Sequence, residues 1–294
     1  MDLKRGNIGD KIFDRLNELF MAVLVVITLY PFIYVVFASV SLPSQMIKHQ
    51  GILLAPLGFS LKSYGLVFEN PMITRGYGNT LLYMTAGTVL NLFMTSLGAY
   101  VLSRKGVYWR NVIMMVIVFT MFFSGGLIPF YLIVRGLGLK DSIWALILPT
   151  AISTYNLIVM RTSFAGIPDS MEESARIDGA NDFTILFKII IPLSMPVVAV
   201  MILFYGVGHW NSWFNAMIFI NTREKYPLQL ILREILIASS TDTMTTSVSS
   251  ADIEPVAETV KYATIMVATL PILFIYPFLQ KYFVKGIMVG ALKE

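Results

Sequence analysis

Cysteine is absent from the 294 residues. That removes disulfides, thiol nucleophiles and cysteine-based metal sites. Histidine occurs only twice, at His49 and His209. Neither H-E-x-x-H nor G-x-S-x-G is present, so an intramembrane protease or hydrolase has no sequence basis. G-x-x-x-x-G-K-[ST] is missing too, and the chain cannot cradle ATP in that manner. Charge is scarce: DEKR residues make up 14%, against about 25% in soluble domains. A net charge of +4 in so apolar a chain gives no reason to expect a nucleic-acid partner.

What fills the space is hydrocarbon. AVILMFWYC residues account for 56% of the chain, and they come in long runs. Six stretches carry no Lys, Arg, Asp or Glu: Leu19 to Val40, Gly78 to Leu102, Asn111 to Val134, Ser142 to Met160, Met195 to Ile220 and Tyr262 to Gln280. About 20 helical residues at 1.5 Å each cross roughly 30 Å of hydrocarbon. A backbone in lipid must satisfy its own hydrogen bonds, and barrel strands would alternate apolar with polar. The sequence therefore predicts an all-α membrane protein of six transmembrane helices spanning 19–280. The first run exceeds the apolar core of about 7–15 residues typical of a signal peptide and reads as a retained helix.

Six spans put both termini on one side. With that side cytoplasmic, segments 1–18, 103–110, 161–194 and 281–294 lie inside and carry 13 of the 22 basic residues. Arg104, Lys105 and Arg110 crowd a short loop beside the helices, where the positive-inside bias counts most. The expected topology is N-in, C-in, multi-pass.

Residues 1–18 space Ile8, Ile12, Phe13 and Leu16 as an amphipathic segment, which suits an interfacial anchor for the first span. The outside loop 41–77 holds Pro43, Pro56 and Pro71. The outside loop 221–261 divides: Tyr226 to Ala238 has helical periodicity, and Ser239 to Pro255 is rich in Ser and Thr. Such a hydroxyl-rich stretch cannot fold alone. It reads equally as a mobile linker or as a segment ordered against a soluble partner.

The inside loop 161–194 is the most informative part. Ser170 and Glu173 have the S-x-x-E spacing of a capping box. Gly179 follows about two turns later, where a left-handed residue ends a helix. Asn181 or Asp182 can cap a second helix from Phe183 to Ile190, and Pro192 and Pro196 limit its continuation. Asp178 sits near the first helix's C-terminus, where the macrodipole disfavours a carboxylate, so it either caps the next helix or meets a basic residue on a partner. The small Ser174 and Ala175 permit close approach. A short helix held by a rigid glycine turn is shaped as a docking knob, although a loop helix lying on the protein's own surface has the same local sequence.

The pattern Glu173-Ser174-Ala175, three residues, Gly179, nine residues, Ile189, one residue, Ile191-Pro192 resembles the EAA motif of binding-protein-dependent ABC importer permeases. It departs from that motif only at Ser174 (usually Ala) and Ile191 (usually Leu). Asp178-Gly179-Ala180 and Pro192-Leu193 look like the carbohydrate, maltose-transporter-like branch, as does the ending from Lys281 to Glu294. Phe122 to Pro129 and His209 to Asn215 look like the branch handling larger oligosaccharides.

The resemblance implies a type I importer permease in a bacterial plasma membrane, non-catalytic and holding no cofactor of its own. It implies a heterodimer with a sister six-helix permease, two ATPase subunits that bind ATP and Mg, and an extracellular sugar-binding protein. It places Glu172, Glu173, Ser174, Ala175, Asp178, Gly179 and Ala180 in a coupling helix seated in the ATPase. Lys285, Gly286 and Gly290 would contact the ATPase from the tail 281–294. The outer loop 221–261 would meet the binding protein.

Trp210, Asn211, Trp213 and Asn215, in the fifth span, pair aromatic faces with amides and are candidates for the substrate path. Tryptophan near a membrane boundary and asparagine between helices have the same signature without any substrate. Asn91, Thr95, Ser96, Thr120 and Asn156 read mainly as helix–helix contacts, and Gly87 and Gly98 as close-packing sites. The alternative class is an ion-coupled carrier or channel, which would place ionisable groups in its spans. Here the spans hold only His209, which reads as a structural hydrogen-bonder.

Overall fold

The computed structural model describes residues 8–245, 259–274 and 277, except for the side chains of 238–245. The elements described are helices: α1 (Ile8–Ser39), α2 (Pro43–Met46), α3 (Lys62–Glu69), α4 (Pro71–Ser103), α5 (Arg110–Phe122), α6 (Leu127–Gly136), α7 (Trp144–Ile147), α8 (Thr154–Ala165), α9 (Asp169–Ile177), α10 (Asp182–Ile185), α11 (Ile191–Leu193), α12 (Met195–Trp210), α13 (Phe214–Phe219) and α14 (Leu228–Thr245), then α15 (Thr259–Phe274). Among the described residues, α1 and α4 are long and apolar enough to cross a membrane, and two sharply bent helix pairs raise the total to four. The chain divides into two units, one of residues 1–70 with 234–269, the other of 71–233 with 270–294.

In the first unit α1 runs unbroken for 32 residues. From Ile8 onward the expected interfacial segment is therefore about the first three turns of this same helix. From Ile12 to Phe32 nearly every apolar side chain of α1 is exposed. Beyond its end the loop folds back tightly. The Leu42 amide donates to the Leu57 carbonyl at 2.9 Å and the Ser60 amide to Val40 at 2.9 Å. The Tyr30 hydroxyl accepts from the Leu53 amide at 3.0 Å. Tyr262 on α15 meets Tyr34 edge-on at 5.7 Å, and the Ser63 hydroxyl donates to Thr259 at 2.8 Å.

The second unit is built around α4, which packs against α8 and α12. Its buried face is polar for an apolar helix: Thr80, Thr88, Asn91, Thr95, Ser96 and Ser103. Asn91, Thr95 and Ser96 join helices, as expected, whereas Ser103 bonds back within α4. Thr95 and Tyr205 share a 2.7 Å hydrogen bond. Asn91 donates its amide to the Thr150 carbonyl at 2.6 Å, so its oxygen is the acceptor for His209 Nε2 at 2.6 Å. His209 is the structural hydrogen-bonder the sequence suggested, protonated on Nε2. Interhelical bonds of this kind contribute about 0.6 kcal/mol each in a bilayer. Gly87 makes room: a Cβ there would overlap the His209 ring, and one on Gly98 would stand 3.1 Å from Leu157.

Three expected spans are not single helices. The run Asn111 to Val134 breaks at Phe123–Gly126, and α5 and α6 meet at 114°. Thirteen residues of α5 rise about 20 Å, short of a full crossing. The run Ser142 to Met160 is interrupted between Thr150 and Thr154, and its helix continues to Ala165. The run Met195 to Ile220 breaks at Asn211–Trp213. Two outer segments are shorter than read. α4 begins at Pro71, seven residues before Gly78, and α14 continues to Thr245, into the Ser/Thr-rich stretch. That stretch is therefore helical in its first residues, with 246–258 outside the described ones.

One clasp ties the loop after α6 to the segment after α13. Asp141 has φ +60°, a conformation in which Asp is among the better-tolerated residues. Its carboxylate accepts from the Thr222 hydroxyl at 2.5 Å and amide at 2.9 Å, the Asn221 amide at 3.0 Å and Lys225 Nζ at 3.0 Å. The Thr222 bonds, then Lys225, hold the carboxyl well below the usual carboxylate range. A depressed carboxyl stabilises the fold above its unfolded value of about 3.9, and that contribution disappears as pH falls below it. Asp141→Asn is expected to cost about 1–2 kcal/mol at pH 7. The gap to wild type should close as pH drops below about 4. Thermal unfolding in detergent across that range checks both.

Candidate functional site

The loop between α8 and α12 folds as a helix, a glycine turn and a second helix. Gly179 has φ +84°. The Ala180 amide donates to the Ala175 carbonyl at 2.9 Å and the Gly179 amide to Arg176 at 3.0 Å, the pair of bonds that defines a Schellman motif. Asn181 caps the next helix through its side-chain oxygen, which accepts from the Thr184 amide at 2.8 Å. The capping box does not form. α9 starts two residues early, Pro168 takes the cap position without a side-chain bond, and the Ser174 hydroxyl bonds back to the Ser170 carbonyl at 2.8 Å. Nor does Pro192 end the second helix. A π turn over Leu186–Ile190 widens the coil, the helix reaches Leu193, and the chain then bends by 89° into α12.

The loop is pinned to the core by one carboxylate. Glu172, 8% exposed, accepts from Arg104 Nη1 at 2.5 Å, Arg176 Nη2 at 2.9 Å and the Tyr100 hydroxyl at 3.0 Å. Arg176 Nη2 also reaches Asp182 at 2.5 Å, so one guanidinium bridges the two helices across the Gly179 turn. The Glu172 bond, then Asp182, raises the Arg176 pKa. Arg104 also donates to the Phe164 carbonyl at 3.1 Å. Arg161 donates to the Leu102 carbonyl at 3.0 Å, and Arg110 to the Arg104 carbonyl at 3.3 Å. Arg161 and Arg110 thus answer carbonyls at the negative end of α4, and Arg104 answers one at the end of α8. At the periphery Lys105 meets Asp169 at 2.8 Å, both largely exposed.

This geometry sorts the residues singled out in the loop. Glu172 and Ala175 face inward, Ala175 within the core cluster that includes Tyr100, Met160, Phe164 and Met201. Glu173, Ser174, Asp178 and Gly179 are exposed and Ala180 is half-buried. The outer face also presents two apolar side chains the sequence reading passed over, Met171 at 45% and Ile177 at 86% exposure. The signals for the clamp were the four-residue spacing of Glu172 and Arg176 and the arginine run after α4.

The candidate path residues separate. Trp210 is buried and meets Tyr77 edge-on at 6.1 Å. Asn211 is exposed, while Trp213 and Asn215 are half-buried. The Arg233 guanidinium lies over the Trp213 ring at 4.4 Å, a contact not foreseen from sequence. Two hollows adjoin this segment. One, of about 880 Å³, is walled mainly by apolar side chains of α4 and α12, with Thr88, Asn156 and Trp210 among its lining. The Thr88 hydroxyl and Trp210 indole N–H have no hydrogen-bond partner there. The other, of about 280 Å³, gathers Thr150, Ser153, Asn156, Tyr205, His209 and Ser212. Lys285, Gly286 and Gly290 lie outside the described residues.

A helical membrane core with a stiff, pinned loop at one end defines a transport permease subunit. The family described as "Binding-protein-dependent transport system inner membrane component" matches residues 94–289, and the chain belongs to it. It is 43% identical over 284 residues to the polygalacturonan/rhamnogalacturonan transport system permease protein YtcP of Bacillus subtilis, covering 97% of this chain and 99% of that one. It is 41% identical to protein LplC of the same organism, over 96% and 95% of the two chains. A chain in the crystal structure of a bacterial ABC transporter involved in the import of the acidic polysaccharide alginate superposes with a TM-score of 0.85. That chain is 34% identical, with coverage of 95% of this chain and 99% of that one.

Removing Glu172 leaves Arg104, whose side chain is 15% exposed, without its carboxylate. Glu172→Ala is expected to cost about 3 kcal/mol and Glu172→Gln, which keeps hydrogen-bonding atoms, about half that. The check is thermal unfolding in detergent, where an unchanged midpoint for Glu172→Ala would show that the clamp does not hold the loop.

Proposed function

We propose that this chain is one of two membrane-spanning subunits of an ATP-driven, binding-protein-dependent importer of saccharides, probed first with oligosaccharides. The observation that carries the reading is the loop from Asp169 to Leu193. Its glycine turn and buried clamp make it stiff, and its outer face offers Met171, Ser174 and Ile177 to a partner. A displacement applied there is delivered to α4 and α12 instead of being absorbed. The family match and the saccharide importers among its relatives support the same reading. On it, the six apolar runs cross the membrane N-in and C-in, and a sister permease completes the path. Two ATPase subunits seat the loop through Glu173, Ser174, Gly179 and their neighbours. Glu172 and Ala175 act from behind that contact, holding the loop in place. An external binding protein delivers the sugar. The tail residues Lys285, Gly286 and Gly290 enter this proposal on resemblance alone.

The direct test is purification of the tagged chain from native membranes in mild detergent, with partners identified by mass. A second permease of similar length and a P-loop ATPase are the expected companions. A homo-oligomer that transports without ATP would instead establish a carrier or channel.

The turn offers a finer test. Space around Gly179 is open, with no atom within 4 Å of a Cβ, so substitution there strains the backbone without a clash. Gly179→Val is expected to lose most ATP-dependent transport while the protein still inserts. Gly179→Asn, whose side chain tolerates the left-handed conformation, is expected to retain more than Gly179→Val. Equal transport by both variants would break the link between the turn and coupling.

A further inference from the structure

Across all the outer loops of the proposed orientation Lys and Arg nearly balance Asp and Glu, nine against eight, but the cations gather in the second unit. On the proposed orientation, Arg75, Arg135, Lys140, Arg223, Lys225 and Arg233 lie outside against two acids, Asp141 and Glu224. One of these cations is held in a defined place. The Arg233 guanidinium stacks on Trp213 at 4.4 Å, and its Nη1 lies 3.2 Å from the Met217 sulfur. Neither partner is an anion, and the side chain is only half-buried. A guanidinium stacked on an indole keeps its hydrogen-bonding edge available, and its planar fork matches a carboxylate in two-point fashion. Trp213 is braced by Phe214, edge-on at 5.5 Å, and the exposed Asn211 amide lies two residues away.

We infer that this cluster reads the acid group of a uronic-acid saccharide, Arg233 binding the carboxylate while Trp213 and Asn211 engage the ring and its hydroxyls. The inference rests on the saccharide-import reading above and narrows it to anionic chains. Two relatives fit that chemistry by their names, one for polygalacturonan/rhamnogalacturonan and one for the acidic polysaccharide alginate.

The test uses the whole complex with its binding protein in proteoliposomes. Galacturonic acid trimer is the probe and its fully methyl-esterified form the neutral control. Each is assayed with wild type, Arg233→Gln and Arg233→Lys. The same binding protein serves every complex, so its own preference cancels when variants are compared. Arg233→Gln should raise the KM for the acid trimer about tenfold and reduce the ratio of acid to ester uptake by a similar factor. Arg233→Lys, which keeps the charge without the fork, should fall between. Unchanged acid-trimer uptake in Arg233→Gln, or an equal loss for acid and ester, would overturn the proposal and leave the import reading intact. Absence of ATP-dependent uptake of any saccharide by wild type would remove the import reading itself. If Arg233→Gln fails to assemble, wild type and Arg233→Lys decide, since a lysine variant with wild-type KM for the acid also overturns the assignment.

Discussion

A single buried carboxylate organises the end of the helix core that carries α9. Glu172 is surrounded by two guanidiniums and a phenol, and almost none of it reaches solvent. Burying a charge costs several kcal/mol unless its partners are well placed. The site meets that cost by taking a partner from each of the elements it joins. Arg104 lies just past the end of α4, Arg176 on α9, and Asp182 on the far side of the turn joins through Arg176. Such a network adds little net stability compared with an apolar core, yet it admits few alternative arrangements. It fixes how a loop that could lie anywhere on the surface rests against the helix core.

The helix core follows a related logic at mid-membrane. Lipid offers no hydrophobic drive for one apolar helix to prefer another, so contacts depend on close packing and directed bonds. α4 supplies both. Gly87 and Gly98 admit His209 and Leu157, while Asn91 and Thr95 bond to His209 and Tyr205 on α12. These bonds fix the rotation of α12 about its axis relative to α4, which apolar contact alone would leave loosely set.

Some of this was readable in the residues. Gly179 and Asn181 declared their turn and cap because both act through local backbone geometry. The helix-joining roles of Asn91, Thr95 and His209 followed from the scarcity of polar groups in the runs. The breaks at Phe123–Gly126 and Asn211–Trp213 were not seen, because hydropathy stays high on both sides of a bend and records no direction. Ser124-Gly125-Gly126 was the available signal, and Gly126 has φ +82°. The inward aim of Glu172 could not be read from its loop, since its partners Tyr100 and Arg104 stand about 70 residues earlier. The same holds for Arg233, whose tie to Trp213 crosses 20 positions and the whole of α13.

The joint at Ser194 has a mechanical meaning. The helix from Asp182 to Leu193 meets α12 at 89°, and the Ser194 amide bonds back to Ile190 and Ile191 at 3.0 and 3.1 Å, so the corner is braced. Two rigid arms at a right angle form a bell crank. A thrust along the short arm would reach the long one as leverage across its axis, and the Asn91–His209 and Thr95–Tyr205 bonds would carry α4 with it.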